Sequence, residues 1–356
     1  MIPAPRIKVL IVDDSPIAVA LVRRALCSAP DIEVVGSAGN GREALELIPA
    51  LNPDVVCTDL HMPVLDGLEL TRQIMARFPR PVLVVSVSTR EGSPGVFSML
   101  EAGALDVVTK PRMGSEPEYG AISDELIGKI RILSGVHVFR KSPKREDAGV
   151  PPNLPLPAAG KGLRGGMVVL GASTGGPQAL QLILSRLPAR FPVPVVCVQH
   201  ISAGFQEGLM QWLSASSALR FETAGERGVP APGTVCFPPE GRHLEFHADG
   251  SYLISCAPPL NGHRPSISAT MSAAARCYGS AAAGVLLTGM GDDGAHGMLE
   301  LYLAGGMTIA QDQGSSIVFG MPRKAIELRA ARLVLPLESI AALLVHYFGA
   351  EKGRMP

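Results

Sequence analysis

The alternation of short apolar runs with stretches of helical periodicity is the feature that most constrains the fold of the first 130 residues. Strand-like apolar runs lie at residues 8–12, 32–36, 55–57, 81–87 and 105–108. Between them, apolar residues recur at helical spacing over residues 17–27, 41–49, 67–78 and 95–102. Strands that alternate with helices predict a parallel, doubly wound α/β sheet, whose ligand site lies at the carboxyl ends of the strands.

Acidic residues follow two of these predicted strands. Asp13 and Asp14 come directly after the first run, and Asp59 follows the third. Three carboxylates that converge at one edge of a sheet repel one another, and a hard cation such as Mg²⁺ relieves that repulsion. Ser86 lies at the end of the fourth run, and Lys110 follows the fifth. Any one of these residues alone is best explained as a solvated loop residue or a helix cap, but their recurrence at four strand ends favours a site.

The first half of the chain resembles a response-regulator receiver domain. The resemblance rests on Asp13-Asp14, Asp59, Met62-Pro63, Asp66-Gly67, Ser86 and Lys110-Pro111. It implies a flavodoxin-like (βα)5 domain over residues 6–130, in which Asp59 accepts a phosphoryl group from a histidine kinase. It further implies that Asp13, Asp14 and Asp59 hold Mg²⁺, with the backbone carbonyl of His61 as an additional ligand. In this resemblance Ser86 responds to the phosphate, and Lys110 pairs with it.

A change in composition marks a connection between two domains. Residues 123–133 have one apolar helical face, residues 140–147 are charged, and residues 150–160 are rich in proline. A proline-rich run of this kind forms neither a sheet nor a helix core, and it is typical of an extended, semi-rigid linker. We therefore predict a linker over residues 131–164 and a second domain over residues 165–352.

A glycine-rich stretch, Gly171–Pro177, opens the second domain after an apolar run at residues 167–170. It precedes a helical pattern, so it places Ser173 or Thr174 at a helix N-terminus, where free N–H groups favour an anion. Capping of that helix by one of the two hydroxyls is the simpler alternative. The stretch lacks the lysine of a phosphate-binding P-loop. The oxyanion of an acyl-transfer intermediate remains as a second use for such a turn.

Two further apolar runs end in residues that suit nucleophilic catalysis. The run at residues 193–198 ends in Gln199-His200, and the run at residues 284–290 leads to Asp292 and Asp293. If these strands are parallel neighbours of the run before Ser173, a hydroxyl, an imidazole and a carboxylate meet at one edge. As alternatives, His200 alone is an ordinary core or surface histidine, and either aspartate caps a helix that begins near Ala295. The dispersed histidines disfavour a metal site.

The second half resembles the catalytic domain of the chemotaxis protein-glutamate methylesterase family. The motifs that carry this resemblance are residues 171–176, 199–200, 261–266, 288–294 and 318–322. It implies that Ser173 is the nucleophile, His200 the general base and Asp293, rather than Asp292, the orienting carboxylate. It also implies hydrolysis of γ-glutamyl methyl esters and deamidation of certain glutamines on chemoreceptors, without a cofactor. A backbone N–H near Met290 is a candidate oxyanion donor, and the hydroxyl of Thr174 is a candidate assistant.

The predicted architecture of this domain is a doubly wound, mostly parallel α/β fold. Short strands at residues 234–237, 243–247 and 252–256, joined by turns, predict a β-hairpin region inserted into it. With a receiver on the same chain, we expect an esterase that is regulated by phosphorylation in a two-component system.

The charge balance and the cysteine spacing argue against some other classes of protein. The chain has 32 basic and 32 acidic residues, and no signal for nucleic-acid binding or membrane insertion is apparent. Its six cysteines are scattered and lack metal-type spacing, which favours buried thiols in a cytoplasmic protein. Two rival functions remain at this point: an adaptor with an inactive hydrolase half, and a transcriptional regulator. The second half disfavours the regulator because it shows no helix-turn-helix pattern and no basic face.

Overall fold

The computed structural model describes residues 6–87, 93–136, 138 and 165–349. The chain divides into two compact units, Met1–Lys144 with Ile201–Gly208 and Arg145–His200 with Leu209–Pro356. The predicted linker over residues 131–164 falls almost wholly outside the described residues, apart from its first residues, which are helical. Among the described residues, no helix combines the length and the apolar character needed to cross a bilayer.

The first unit contains a five-stranded parallel sheet with the strand order β2-β1-β3-β4-β5. Its strands are β1 (Ile7–Val12), β2 (Ile32–Ala38), β3 (Val55–Thr58), β4 (Val82–Ser86) and β5 (Asp106–Thr109). Its helices are α1 (Pro16–Cys27), α2 (Gly41–Leu51), α3 (Gly67–Arg77), α4 (Ser93–Ala102) and α5 (Glu116–Ser134). The central strands are buried along their length, as expected for a sheet with helices on both faces. The predicted (βα)5 fold is confirmed.

Local sequence explains where several of these helices begin. Asn40 and Asp66 accept backbone N–H bonds and cap α2 and α3, each at 3.0 Å or less. The last helix starts at Glu116, earlier than the pattern at residues 123–133 predicts. Its first turn contains acidic residues and Pro117, which suit a helix start although they are not part of an apolar stripe.

The second unit contains a seven-stranded sheet whose pairings are all parallel, in the order β15-β14-β13-β6-β7-β10-β8. Its strands are β6 (Met167–Ala172), β7 (Val195–Gln199), β8 (Arg220–Thr223), β10 (Thr234–Phe237), β13 (Ala282–Leu286), β14 (Met307–Gln311) and β15 (Leu333–Leu335). Its helices are α6 (Gly176–Leu184), α8 (Ile267–Tyr278), α9 (Ala295–Leu303), α10 (Met321–Glu327) and α11 (Leu337–Gly349), together with most of α7 (Gln206–Ala215), whose first three residues are assigned to the first unit.

The order of the central strands matters most for function. Strand β6 lies between β13 and β7, and both pair with it in parallel. The segments that follow these three strands therefore leave the sheet at the same edge, which is the arrangement that the sequence predicts for Ser173, His200 and Asp293.

A separate three-stranded antiparallel sheet accounts for part of the predicted insertion. Strands β11 (His243–Phe246) and β12 (Tyr252–Ser255) form a hairpin, and β9 (Arg227–Gly228) pairs with β12. The predicted strand at residues 234–237 is not part of this hairpin region. It is β10 of the main sheet, because its buried residues pair in parallel with β7 on one side and β8 on the other.

Candidate active sites

The carboxylates predicted from the first half lie at the carboxyl edge of the five-stranded sheet. Lys110 Nζ lies 2.7 Å from Asp13 Oδ2 and 3.0 Å from Asp59 Oδ2. Asp14 completes a group of three carboxylates whose ligand oxygens lie within 4.8 Å of one another. Asp13 is buried, Asp59 is half-buried and Asp14 is exposed. The structure thus brings together the three predicted metal ligands and the predicted lysine.

The charges in this acidic group are only partly balanced. Burial raises the pKa of Asp59, and the nearby Lys110 ammonium offsets this only in part. Burial lowers the pKa of Lys110, but its hydrogen bond to Asp13 and the charges of both aspartates outweigh burial and leave that pKa raised. A single lysine therefore stays charged beside several carboxylates. All-oxygen ligands with excess negative charge at this spacing fit a Mg²⁺ ion.

The neighbouring backbone fixes the position of this group. Asp59 N donates to Val12 O at 2.9 Å, which ties the ends of β1 and β3 together. A Cβ at Gly67 would lie 2.0 Å from Asp59 O, so the loop after Asp59 closes only with glycine there. Ser86 is buried at the end of β4, and its carbonyl accepts from Lys110 N at 2.8 Å. His61 lies in the exposed loop that follows Asp59.

The glycine-rich turn after β6 does not use its hydroxyls as helix caps. The N-cap of α6 is Gly175, which has a φ of 76° and makes no side-chain cap hydrogen bond. Ser173 N instead donates to Thr288 O at 3.0 Å, and Ser173 O accepts from Gly176 N at 2.7 Å. The capping alternative is therefore wrong for both Ser173 and Thr174. The turn holds Ser173 at the edge of the sheet with its hydroxyl outside the helix.

His200 and Asp293 are in direct contact. His200 Nε2 lies 3.0 Å from Asp293 Oδ2, and His200 N donates to Ala172 O at 2.9 Å, next to Ser173. His200 Nδ1 is buried and has no hydrogen-bond partner among the described residues. Because an ionised carboxylate only accepts, Nε2 carries the proton and Nδ1 presents its lone pair. The ring nitrogen available to take a proton from a hydroxyl is therefore Nδ1.

Asp293 is anchored by more donors than a surface aspartate. It is 1% exposed and accepts from Ser266 Oγ at 2.8 Å, Ile267 N at 2.8 Å and Ser268 N at 3.0 Å. The two amides belong to the first turn of α8, whose dipole favours a negative charge. Burial alone raises the pKa of Asp293, but the bond to His200 and these amides hold that pKa well below its usual range. Asp292 is exposed.

These donors to Asp293 are not among the site residues predicted from the sequence. Ser266 caps α8 by accepting from Ala269 N at 3.2 Å, and its hydroxyl also donates to Asp293. A serine directly before a helical pattern is a recognisable N-cap signal. That signal marks the start of α8, but only the fold shows that the helix points at Asp293.

Two further segments shape the space around Ser173. Gln199 Nε2 donates to Ser173 O at 2.9 Å and to His200 O at 2.8 Å, which joins the two segments. A Cβ at Gly289 would lie 2.6 Å from Ser173 Cβ, so only glycine lets this loop approach the serine. Met290 follows Gly289 and is 51% exposed, and its N–H makes no hydrogen bond within the described part of the chain. Thr174 is buried, and its carbonyl accepts from Thr288 Oγ1 at 3.0 Å.

Comparison with protein families matches both halves of the chain. Residues 168–344 match the CheB methylesterase family, and residues 9–116 match the response regulator receiver domain. The catalytic-domain structure of the CheB methylesterase from Thermotoga maritima is 38% identical, with a TM-score of 0.50. It covers 51% of this chain and 98% of its own.

Curated relatives match nearly the full length. A protein-glutamate methylesterase/protein-glutamine glutaminase of Myxococcus xanthus is 41% identical and covers 98% of this chain and 98% of its own. A protein of the same name from Nitrosospira multiformis is also 41% identical, with the same coverage of both chains. The similarity thus includes the order of the two domains as well as each domain separately.

Proposed function

Because the chain belongs to the CheB methylesterase family, we propose that it hydrolyses glutamate methyl esters and deamidates certain glutamines on chemoreceptors, with Ser173, His200 and Asp293 as its catalytic triad. The observation that carries this proposal is the 3.0 Å contact between His200 and the buried, ionised Asp293, at the same sheet edge as Ser173. The adaptor alternative leaves this arrangement unexplained, because a mere binding surface does not need a buried carboxylate directed at a histidine.

The first chemical step forms an acyl-enzyme. Ser173 Oγ attacks the ester carbonyl carbon while His200 Nδ1 accepts the hydroxyl proton. Asp293 keeps Nε2 protonated and stabilises the imidazolium that results. His200 then returns the proton to the departing methoxide, which leaves as methanol. A water molecule, activated by the same nitrogen, hydrolyses the acyl-enzyme to a glutamate and restores Ser173.

The same residues serve a glutamine substrate. The amide follows the same path through a tetrahedral oxyanion, and His200 protonates the leaving nitrogen so that ammonia departs. The N–H of Met290, which makes no hydrogen bond to any residue that the structure describes, is our candidate donor to that oxyanion. Such a donor contributes about 3–4 kcal/mol to the stability of the transition state in comparable holes.

The receiver supplies the regulation in this proposal. Asp59 accepts a phosphoryl group from a histidine kinase of the chemosensory system, with Asp13, Asp14 and Asp59 as the residues that hold Mg²⁺. Bound there, the ion would neutralise charge on the transferred phosphoryl group. An acyl phosphate adds about 1.5–2 negative charges beside Lys110, which is a change large enough to rearrange neighbouring loops. The six cysteines are free thiols, which supports a reducing cytoplasmic setting.

The decisive experiment measures methanol release from membranes that carry methylated chemoreceptors. Ser173→Ala is expected to reduce release about 10⁵- to 10⁶-fold, as when other triads lose their serine. Ser214→Ala, an exposed serine on α7, is the matched control and should release methanol like the wild type. Equal release by Ser173→Ala and the wild type would disprove the nucleophile assignment.

Regulation is tested with the full chain and a small phosphodonor. Acetyl phosphate with Mg²⁺ should raise methanol release by the wild type and leave Asp59→Asn at its basal rate. Activation of Asp59→Asn to the wild-type level would show that another residue receives the phosphoryl group.

A further inference from the structure

A second histidine lies against the candidate general base. The rings of His200 and His263 are stacked, with centroids 3.9 Å apart and planes inclined by only 3°. His263 belongs to none of the roles assigned above. A parallel stack at van der Waals distance leaves no room for the His200 ring to tilt towards that side.

A tight turn holds His263 in this position. Leu260 and His263 exchange both backbone hydrogen bonds, at 3.1 and 3.0 Å, and Asn261 and Gly262 between them have φ values of 50° and 81°. Positive φ at both central residues, filled by Asn-Gly, is the signature of a two-residue type I′ turn. Such a turn has little freedom, so the ring of His263 is presented on a rigid support.

The stack restrains the orientation of the His200 ring plane, which the hydrogen bond to Asp293 does not fix by itself. That bond restrains Nε2, and the covalent bond to Cβ holds the other end of the ring, so the motion left to restrain is rotation about Cβ–Cγ, which would move Nδ1. The buried Nδ1 has no hydrogen-bond partner among the described residues that would prevent this motion. Among the described residues, the stacked face of His263 is a contact that opposes this rotation and helps to fix the plane of the imidazole.

The protonation state of His263 matters for the same reason. Its charged neighbours are His200, Asp293 and Asp292. Burial lowers the pKa of His263, and the charge of His200 lowers it further, against the opposing effect of the two aspartates. A neutral ring stacked on His200 presents its π face to the imidazolium that forms during acyl transfer. A charged ring at the same distance would repel that imidazolium.

We propose that His263 is a positioning residue that keeps the imidazole of His200 in the plane required for Nδ1 to reach Ser173. This proposal rests on the proposed esterase function, but it concerns a residue outside the triad. The aromatic face performs the task, and the nitrogen atoms of His263 take no part in proton transfer.

The kinetic experiment uses the full chain and methanol release from methylated receptor membranes. His263→Ala should lower kcat about ten- to a hundredfold and leave KM within about twofold, because a small misplacement of a catalytic group has an effect of this size. His263→Phe keeps an aromatic face and should restore kcat to within about threefold of the wild type. His346→Ala, an exposed histidine on α11, is the matched control and should retain the wild-type kcat.

A further variant separates stacking from simple filling of space. His263→Leu occupies similar room without a planar face, so it should behave like His263→Ala. A wild-type kcat for His263→Ala, or a kcat for His263→Phe as low as that of His263→Ala, would overturn the proposal. So would full rescue by His263→Leu.

A spectroscopic readout tests the proposal independently of turnover. In protein labelled with ¹⁵N-histidine, the His200 signals, identified by their loss in His200→Gln, should show one tautomer protonated at Nε2. His263→Ala should shift them towards an average of the two tautomers, and His263→Phe should not. Unchanged His200 signals in His263→Ala would overturn the proposal even if the wild type released no methanol, an outcome that would itself reject only the esterase function.

Discussion

The two candidate sites lie at equivalent positions in their sheets, but the pKa of the main carboxylate is shifted in opposite directions. Both lie at the carboxyl edge of a parallel sheet. In the receiver, three carboxylates lie close together, Lys110 pairs with two of them, and burial raises the pKa of Asp59. In the catalytic unit, a single carboxylate receives two backbone amides of α8 and a serine hydroxyl, and the pKa of Asp293 is lowered.

This difference follows from what each charge must do. In the proposed function, Asp59 needs a site that tolerates a change of charge, because a metal ion and a phosphoryl group would enter and leave beside it. In the proposed function, Asp293 needs a site that keeps one charge constant, because it would hold the His200 proton at Nε2 in every cycle. Fixed backbone amides supply a constant field at Asp293, whereas one lysine among excess carboxylates leaves the charge around Asp59 only partly balanced.

The largest expected effect comes from removing the negative charge of Asp293. Asp293→Asn should lower kcat for methanol release about 10⁴-fold, because an amide favours the wrong tautomer of His200. Asp292→Asn changes the exposed neighbouring carboxylate and should leave kcat within about twofold of the wild type. Methanol release at saturating receptor concentration measures both. If Asp292→Asn proves the more damaging variant, the orienting carboxylate has been assigned to the wrong residue.

Two smaller effects of opposite sign are expected on the Mg²⁺ affinity of the three receiver carboxylates. Asp13→Asn removes the negative charge of one of the three carboxylates and should weaken Mg²⁺ binding by at least about tenfold. Lys110→Met removes the cation that competes for Asp13 and Asp59, so it should tighten Mg²⁺ binding. Calorimetric titration of the full chain with Mg²⁺ measures both affinities.

Asp124→Asn, an exposed carboxylate on α5, serves as the control for that titration and should leave the Mg²⁺ affinity unchanged. Weaker Mg²⁺ binding by Lys110→Met would show that the lysine supports the metal site and does not compete with it. The conclusion that the receiver carboxylates carry excess negative charge, in contrast to Asp293 with its fixed donors, would then be wrong.

The sequence predicts much of this arrangement because the chemistry follows directly after strongly apolar strands. Asp13, Asp59, Ser173 and His200 each follow a buried run, and the parallel order of β13, β6 and β7 brings the second set to one edge. Local patterns suffice where a buried strand and its terminal residue are adjacent in the chain. For this reason the sequence could predict the fold class and the candidate residues that directly follow a strand, whereas the choice of Asp293 over Asp292 came from the family resemblance.

Other features depend on contacts between distant segments. Strand β8 carries Arg220 and Glu222 and is largely exposed, so it lacks the apolar pattern of a sheet strand. The predicted hairpin strand at residues 234–237 joins the main sheet through partners far away in the chain. Likewise, the amides of α8 and the ring of His263 reach the triad only through the fold, and no spacing in the sequence reveals them.

The smallest expected effect is on the pH dependence of the unfolding free energy, and it tests whether the donors around Asp293 stabilise its negative charge. A carboxyl with a lowered pKa in the folded state stabilises the fold above its ordinary pKa near 4 and loses that contribution as the pH falls towards the folded value. Between pH 5 and pH 3, the wild type should therefore lose about 1 kcal/mol more unfolding free energy than Asp293→Asn, which cannot titrate there. Urea unfolding followed by the fluorescence of Trp212, the sole tryptophan, reports on the catalytic unit. Asp292→Asn keeps Asp293 and should follow the wild type, whereas parallel losses in the wild type and Asp293→Asn would mean that the α8 amides do not hold a permanent charge.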